Sequence, residues 1–153
     1  METVISTSTL SKHYGDVKAL NGLTLEVPKG SVFGYLGRNG SGKTTTIKLL
    51  LDLIRPTSGS ARVLGIDPRE DAVEMRKRIG YVAEGQRMYE WMRVKELIRF
   101  TSGFYETWDD DLAEKYLKRF ELDPQAKAKT LSKGQTARLS LLLALAPRPE
   151  LLI

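Results

Sequence analysis

The residues best placed to do chemistry stand together as Gly37-Arg38-Asn39-Gly40-Ser41-Gly42-Lys43-Thr44. Their spacing is G-x-x-x-x-G-K-[ST], the pattern of a phosphate-binding loop, or P-loop. A nucleoside triphosphate carries several negative charges that must be held away from water. Glycines at 37, 40 and 42 let the backbone turn tightly, reach positive φ and come close to the phosphates. Successive N–H groups then point inward as a nest, at the positive end of the helix that follows. Lys43 adds a mobile full charge for the β- and γ-phosphates. Thr44 offers a hydroxyl to Mg²⁺, a hard ion that prefers oxygen ligands. Asn39, Ser41 and Thr45 belong to the same phosphate- and Mg²⁺-binding stretch.

Such a loop needs a strand to deliver it and a helix to receive it. Ser31-Val32-Phe33-Gly34-Tyr35-Leu36 is apolar and rich in β-formers, which predicts a buried strand. Ile47, Leu50, Leu51 and Ile54 recur at helical spacing, which predicts a helix over 44–54 that Pro56 stops. Ahead of the loop, Val4–Leu10 alternates weakly, as an edge strand would. Gly15-Asp16 is a turn signal, and Leu23–Val27 alternates as a half-exposed strand. These readings give a small N-terminal antiparallel sheet attached to an α/β core. Ala61–Ile66 reads as a short strand, 68–77 as helix or loop, and Arg78–Ala83 as a second core strand. Residues 94–120 are helical in pattern, with a break near Thr107-Trp108. Leu97, Ile98, Phe104 and Tyr105 line one segment; Leu112, Tyr116, Leu117 and Phe120 line the other. The acidic run Asp109-Asp110-Asp111 suits a helix N-terminus. A last helix over 136–146 ends at Pro147 and Pro149, and Glu150-Leu151-Leu152-Ile153 reads as the start of a strand.

With 153 residues, one domain is expected, able to bury about 68–70% of its unfolded surface. The chain has no Cys, which removes disulfides and thiolate metal sites. A single His, His13, makes neither a metal site nor a triad. The longest apolar stretch, Leu139–Ala146, is too short to span a bilayer. The first residues lack a charged-then-apolar signal pattern, so a cytoplasmic location is the default. The net charge is +5, with local groups at Arg76-Lys77-Arg78 and over 127–133. No aromatic-interleaved basic patch accompanies them, so no nucleic-acid partner is expected.

Downstream of the P-loop stands Leu131-Ser132-Lys133-Gly134-Gln135, directly before a helix. Ser132 offers a hydroxyl, Gly134 lets a phosphate approach the backbone, and the helix start supplies positive potential. The same Ser132 also suits a simple N-cap. With these two ordered motifs the chain resembles the nucleotide-binding domain of an ABC transporter. The likeness runs along the whole chain but covers the front part of that domain. The pentapeptide is close to the family signature L-S-G-G-Q, with Lys133 in its third place.

The resemblance implies a P-loop NTPase core, an N-terminal antiparallel β subdomain and an inserted helical subdomain. It divides the chain at about 1–93 for the β subdomain and core, 94–135 for the helical subdomain, and 136–153 for a return to the core. It implies ATP and Mg²⁺ as cofactors. It makes Tyr14, in a Lys-x-Tyr-Gly turn, the aromatic that stacks on adenine. It makes Ser132, Gly134 and Gln135 contacts to the ATP held by a second nucleotide-binding domain, in a head-to-tail dimer. Where the family's Q-loop glutamine falls, this chain has Glu84, with Gln86 two positions on; either residue fits that role, and Glu84 would reach Mg²⁺ or water. Tyr89-Glu90-Trp91-Met92 falls where the family meets its transmembrane permease, or else packs on its own helical core. The family continues into a Walker B Asp, a general-base Glu and a switch His. None of these is among the 153 residues, so no catalytic base is assignable. A fold incomplete at the C-terminus, an uncovered sheet edge and almost no hydrolysis by these residues alone are expected.

The function implied is that of an ATP-binding subunit coupling ATP binding and hydrolysis to transmembrane transport. Export is the direction favoured, from the inner face of the membrane. The alternatives are a soluble ABC-type ATPase acting on ribosomes or DNA, and a nucleotide-binding fragment that does not hydrolyse.

Overall fold

The computed structural model describes residues 2–85 and 87–153. The chain divides into two compact units, Met1–Arg76 and Lys77–Ile153.

The first unit is built on a long hairpin, β1 (Thr3–Tyr14) and β2 (Val17–Pro28), turned at Gly15-Asp16. A third strand, β3 (Ser58–Val63), pairs antiparallel with the other side of β1. The order is β2-β1-β3, so β1 is the central strand and not the edge that its weak alternation predicts. The pattern is weak because both β1 faces bury residues: Val4 and Ile5 are consecutive and both buried, and so are Leu10 and Ser11.

Between β2 and β3 comes helix α1 (Lys43–Leu50). It stops well ahead of Pro56. The Leu53 N–H donates to the Lys48 carbonyl and the Asp52 N–H to the Leu49 carbonyl, with Asp52 at φ 53°. That is a Schellman ending with Asp in the left-handed position usually taken by Gly. Leu49, Leu50 and Leu51 at this end are buried, and α1 packs on β2 and β3.

The expected strand over 31–36 is corrected. Those residues join neither sheet, and Val32 and Leu36 are exposed at 105% and 91%. Apolar β-formers favour an extended backbone, but a strand exists only by pairing. Among the described residues nothing pairs with this segment.

Helix α2 (Ala72–Lys77) leads out of the first unit. The second unit opens with β4 (Ile79–Gly80), parallel to β5 (Leu151–Leu152). Flanking bonds from Glu150 N–H to the Arg78 carbonyl and from Val82 N–H to the Ile153 carbonyl extend this pair. Between them lie α3 (Val94–Ser102), α4 (Asp110–Arg119) and α5 (Lys133–Leu145). Their shared core contains Val94, Leu97, Ala113, Leu139 and Leu142. Phe104, expected in that core, is 64% exposed instead. It lies beyond the α3 C-cap, Gly103, where the helical period no longer directs side chains inward.

Candidate functional site

The P-loop lies between the unpaired segment 31–36 and α1. Gly42 is the helix N-cap, at φ 86°. A side chain there would place its Cβ 2.6 Å from the Ala19 carbonyl oxygen. The reason lies in the hairpin. Lys12 pairs with Leu20 and His13 with Lys18, which leaves Ala19 as a bulge with no partner. The bulged carbonyl lies against Gly42, so the hairpin carrying Tyr14 abuts the P-loop through bare backbone.

Gly37 is needed for a different reason from the one its motif suggests. Its φ is not positive, but a Cβ would fall 2.3 Å from Ser41 Oγ. The loop therefore closes on itself where a side chain would stand. Across that closure the Lys43 ammonium donates to the carbonyls of Gly37 at 2.6 Å and Arg38 at 2.8 Å. An ammonium has three protons. Two hold the loop, which leaves a third that would suit a phosphate oxygen. Thr46 is buried and donates to the Gly42 carbonyl, with the Tyr35 hydroxyl 3.3 Å from its own. Thr44, by contrast, is exposed at the start of α1, and Thr45 is half-buried. Asn39, Gly40 and Ser41 form the exposed turn of the loop.

The donor set suits a triphosphate with Mg²⁺. A glycine cradle, a helix start and a lysine meet the anion. Mg²⁺ keeps several waters and takes phosphate oxygens, so it needs few protein donors. The exposed Thr44 hydroxyl would be one.

Tyr14 is 51% exposed at the end of β1. Lys12, which sequence reasoning passed over, lies with its ammonium 4.9 Å from the centre of the Tyr14 ring. The signal was available, because residues i and i+2 of a strand share a face. His13 projects to the opposite face, and its Nε2 is buried without a partner among the described residues.

In the second unit Ser132 is the N-cap of α5. Its hydroxyl accepts from the Gln135 N–H at 3.2 Å, and its own N–H donates to Gln135 Oε1 at 2.9 Å. This capping box uses the first and last of the polar signature residues on each other. Gly134 lies between them, exposed, and the nearest atom to an added Cβ is Ser132 Oγ at 4.0 Å. Nothing in this unit requires a glycine there, and the space above it is open. Lys133 is exposed in the first turn, which holds no acidic residue. Glu84 is exposed in the turn after β4, beside Gly85 at φ 65°. Gln86 lies outside the described residues.

The segment after that turn separates into two faces. Met88 and Met92 pack against the helical core. Tyr89 and Trp91 are exposed, and their rings continue into Phe100 and Phe104 with centroids 5.0–5.5 Å apart. The sequence leaves Tyr89 and Trp91 between an interface and core packing and reads Phe104 as core; Phe100 stands out only in the structure. Phe100 and Phe104 stand at i and i+4, a helical spacing that looks the same whether the stripe faces a core or solvent.

Three carboxylates are held below their ordinary range, Glu114 through its bond to Lys118 on the surface of α4. For Asp67 the cause is chiefly the Arg69 side chain, bonded to both carboxylate oxygens, with burial opposing. For Asp109 it is first the Leu112 N–H that it caps at the start of α4, then the Arg148 guanidinium. All three stand outside the phosphate loop.

A P-loop seated on a bulged hairpin, followed by a capped signature helix, defines an ATP-binding cassette. The ABC transporter family model matches residues 20–153, and the chain belongs to that family. It is 35% identical over 155 residues to the bacitracin transport ATP-binding protein BcrA of Bacillus licheniformis, covering 100% of this chain and 51% of that protein. It is 34% identical over 158 residues to the Nod factor export ATP-binding protein I of Cupriavidus metallidurans, covering 100% of this chain and 52% of that one. The solved ATP-binding subunit of an ABC transporter superposes with a TM-score of 0.88 at 25% identity, over 98% of this chain and 65% of its own. The chain thus spans about half the length of the curated relatives it matches.

Proposed function

We propose that the chain is the nucleotide-binding part of an ABC transporter subunit that uses ATP to drive export. The observation that carries this reading is the Lys43 ammonium bridging two loop carbonyls while Gly42 seats the helix start against Ala19. That geometry suits a triphosphate, whose charge the lysine and the helix start would meet. Lys43, with the N–H groups from Gly40 to Thr45, takes the phosphates. Thr44 holds Mg²⁺, which neutralises charge on the β- and γ-oxygens when bound. Tyr14 stacks on adenine, a contact worth about 1–3 kcal/mol. Ser132, Gly134 and Gln135 face the ATP of a second cassette in a head-to-tail dimer. Glu84, or Gln86, takes the Q-loop role. Residues 94–135 form the helical subdomain that presents the signature.

The exposed ladder Tyr89-Trp91-Phe100-Phe104 supports docking to a transmembrane permease, since aromatics favour such interfaces. No helix among the described residues is long and apolar enough to cross a membrane, and the permease would hold the subunit at the inner face. The bacitracin transport and Nod factor export relatives support transport, and the second supports export.

Phosphoryl transfer to water relies on positioning and charge stabilisation. Residues 1–153 supply the cradle, the lysine and a metal hydroxyl, but no assigned base for the water. Alone, they are expected to bind Mg²⁺-ATP and turn over almost none. Calorimetric titration tests the reading: Lys43→Ala weakens ATP binding by roughly 10- to 100-fold, the loss of a charge-assisted contact. Equal affinity for ATP in the variant would sink it. Salt-sensitive binding of RNA or DNA by the chain would favour the ribosome- or DNA-acting alternative.

A further inference from the structure

We propose that Lys12 is a positioning residue of the base site: its ammonium covers one face of the Tyr14 ring and directs adenine to the other. This rests on reading Tyr14 as the base platform. An exposed tyrosine ring has two faces, and a stacked base uses one. Lys12 Nζ lies 4.9 Å from the ring centre, inside the range of a cation–π contact of about 6 Å. Among the described residues no carboxylate bridges to Lys12.

The placement is set by backbone. Lys12 pairs with Leu20 and Tyr14 with Val17 on one side. On the other, the His13 N–H donates to Thr57 Oγ1 at 2.9 Å and the Thr57 N–H to the Ser11 carbonyl at 2.8 Å. This stretch of β1 is thus pinned from both edges, and strand alternation puts Lys12 and Tyr14 on one face with His13 on the other. The ammonium does two things there. It blocks one ring face to a base. It also draws the ring's π density toward itself, so the remaining face repels the π cloud of adenine less. The same hairpin abuts the P-loop at Gly42, so the face chosen by Lys12 sets the angle between base and phosphates.

The test is calorimetric titration of the full chain with Mg²⁺-ATP and, separately, with Mg²⁺ and inorganic tripolyphosphate. Lys12→Met is expected to weaken ATP about 2- to 5-fold, as befits an exposed cation–π contact, and to leave tripolyphosphate unchanged. Unchanged tripolyphosphate also reports an intact loop and fold. Lys12→Arg keeps ATP affinity. In a Tyr14→Leu background, Lys12→Met costs nothing further, because the two act as a unit. Equal losses for ATP and tripolyphosphate would make Lys12 a distant point charge and overturn the proposal. So would additive losses in the double variant, or unchanged ATP affinity in Lys12→Met where Tyr14→Leu weakens it; in that last case Tyr14 keeps its role. If Tyr14→Leu leaves ATP affinity untouched, the base lies elsewhere and both ideas fall.

Discussion

At the scale of the residue, two glycines of one motif do different work. Gly42 holds a left-handed φ of 86° and faces a backbone carbonyl. A methyl there meets an atom fixed by the hairpin, which cannot step aside. Gly37 faces Ser41 Oγ, the end of a side chain that can rotate. Gly42→Ala is therefore expected to lose about 1–3 kcal/mol of stability, and Gly37→Ala less, in urea unfolding of the chain. Equal losses would mean that the Ala19 bulge yields. Titration gives a second residue-level prediction. Asp67 is folded with its carboxyl below the ordinary 3.8, mainly through Arg69. A depressed folded value contributes stability that is present above the unfolded pKa and lost as pH falls through the folded one. Thermal midpoints should hold steady from neutral pH down to about pH 5 and then fall below pH 4. Asp67→Asn should flatten that acid limb, while a limb of unchanged slope would assign it to other carboxylates, Asp109 first.

At the scale of the element, the signature helix shows what a sequence reveals and what it hides. The pentapeptide was legible, and so was Ser132 as an N-cap; the structure has Ser132 capping α5 from Lys133 onward, which explains why the helix begins earlier than its apolar residues suggest. The cap and the proposed phosphate contact draw on the same hydroxyl, and a substitution can part them. Ser132→Ala is expected to cost about 0.5–2 kcal/mol through the lost cap. Ser132→Asp keeps a capping oxygen and favourable charge at a helix start, so stability is retained. It also sets a carboxylate where a phosphate would arrive, so ATP-dependent dimerisation in the assembled transporter subunit should fail. Dimerisation surviving in Ser132→Asp would confine the residue to capping. Other elements were less legible for identifiable reasons. The α1 ending rests on Asp52 in a left-handed conformation that its residue type does not announce. The central place of β1 depends on β3, which lies far along the chain. The Ala19 bulge is a property of register, and a single strand's pattern carries no register. The P-loop, by contrast, was legible because its chemistry is local: backbone, glycine and one lysine within a few positions.

At the scale of the whole molecule, the segment over 31–36 decides how the chain behaves in solution. Its composition is that of an interior strand, yet Val32 and Leu36 are almost fully exposed and Phe33 is 45% exposed. Its backbone belongs to neither sheet. An exposed apolar segment rich in β-formers, outside both sheets, is a template for pairing with another chain. The aromatic ladder of the second unit adds a contiguous exposed apolar patch, a feature that marks interaction surfaces. The chain by itself is expected to self-associate with rising concentration, and sedimentation velocity would register this as a shift to larger species. Val32→Lys with Leu36→Lys should reverse the shift, because charge on an open strand opposes edge pairing. The double variant should leave stability within about 0.5 kcal/mol, the usual range for substitutions at exposed positions. The two readouts act as checks on each other. Association that persists in the double variant would move the contact to the Tyr89-Trp91-Phe100-Phe104 ladder. A large loss of stability would show instead that these side chains are buried in solution, with the segment paired as its sequence predicts.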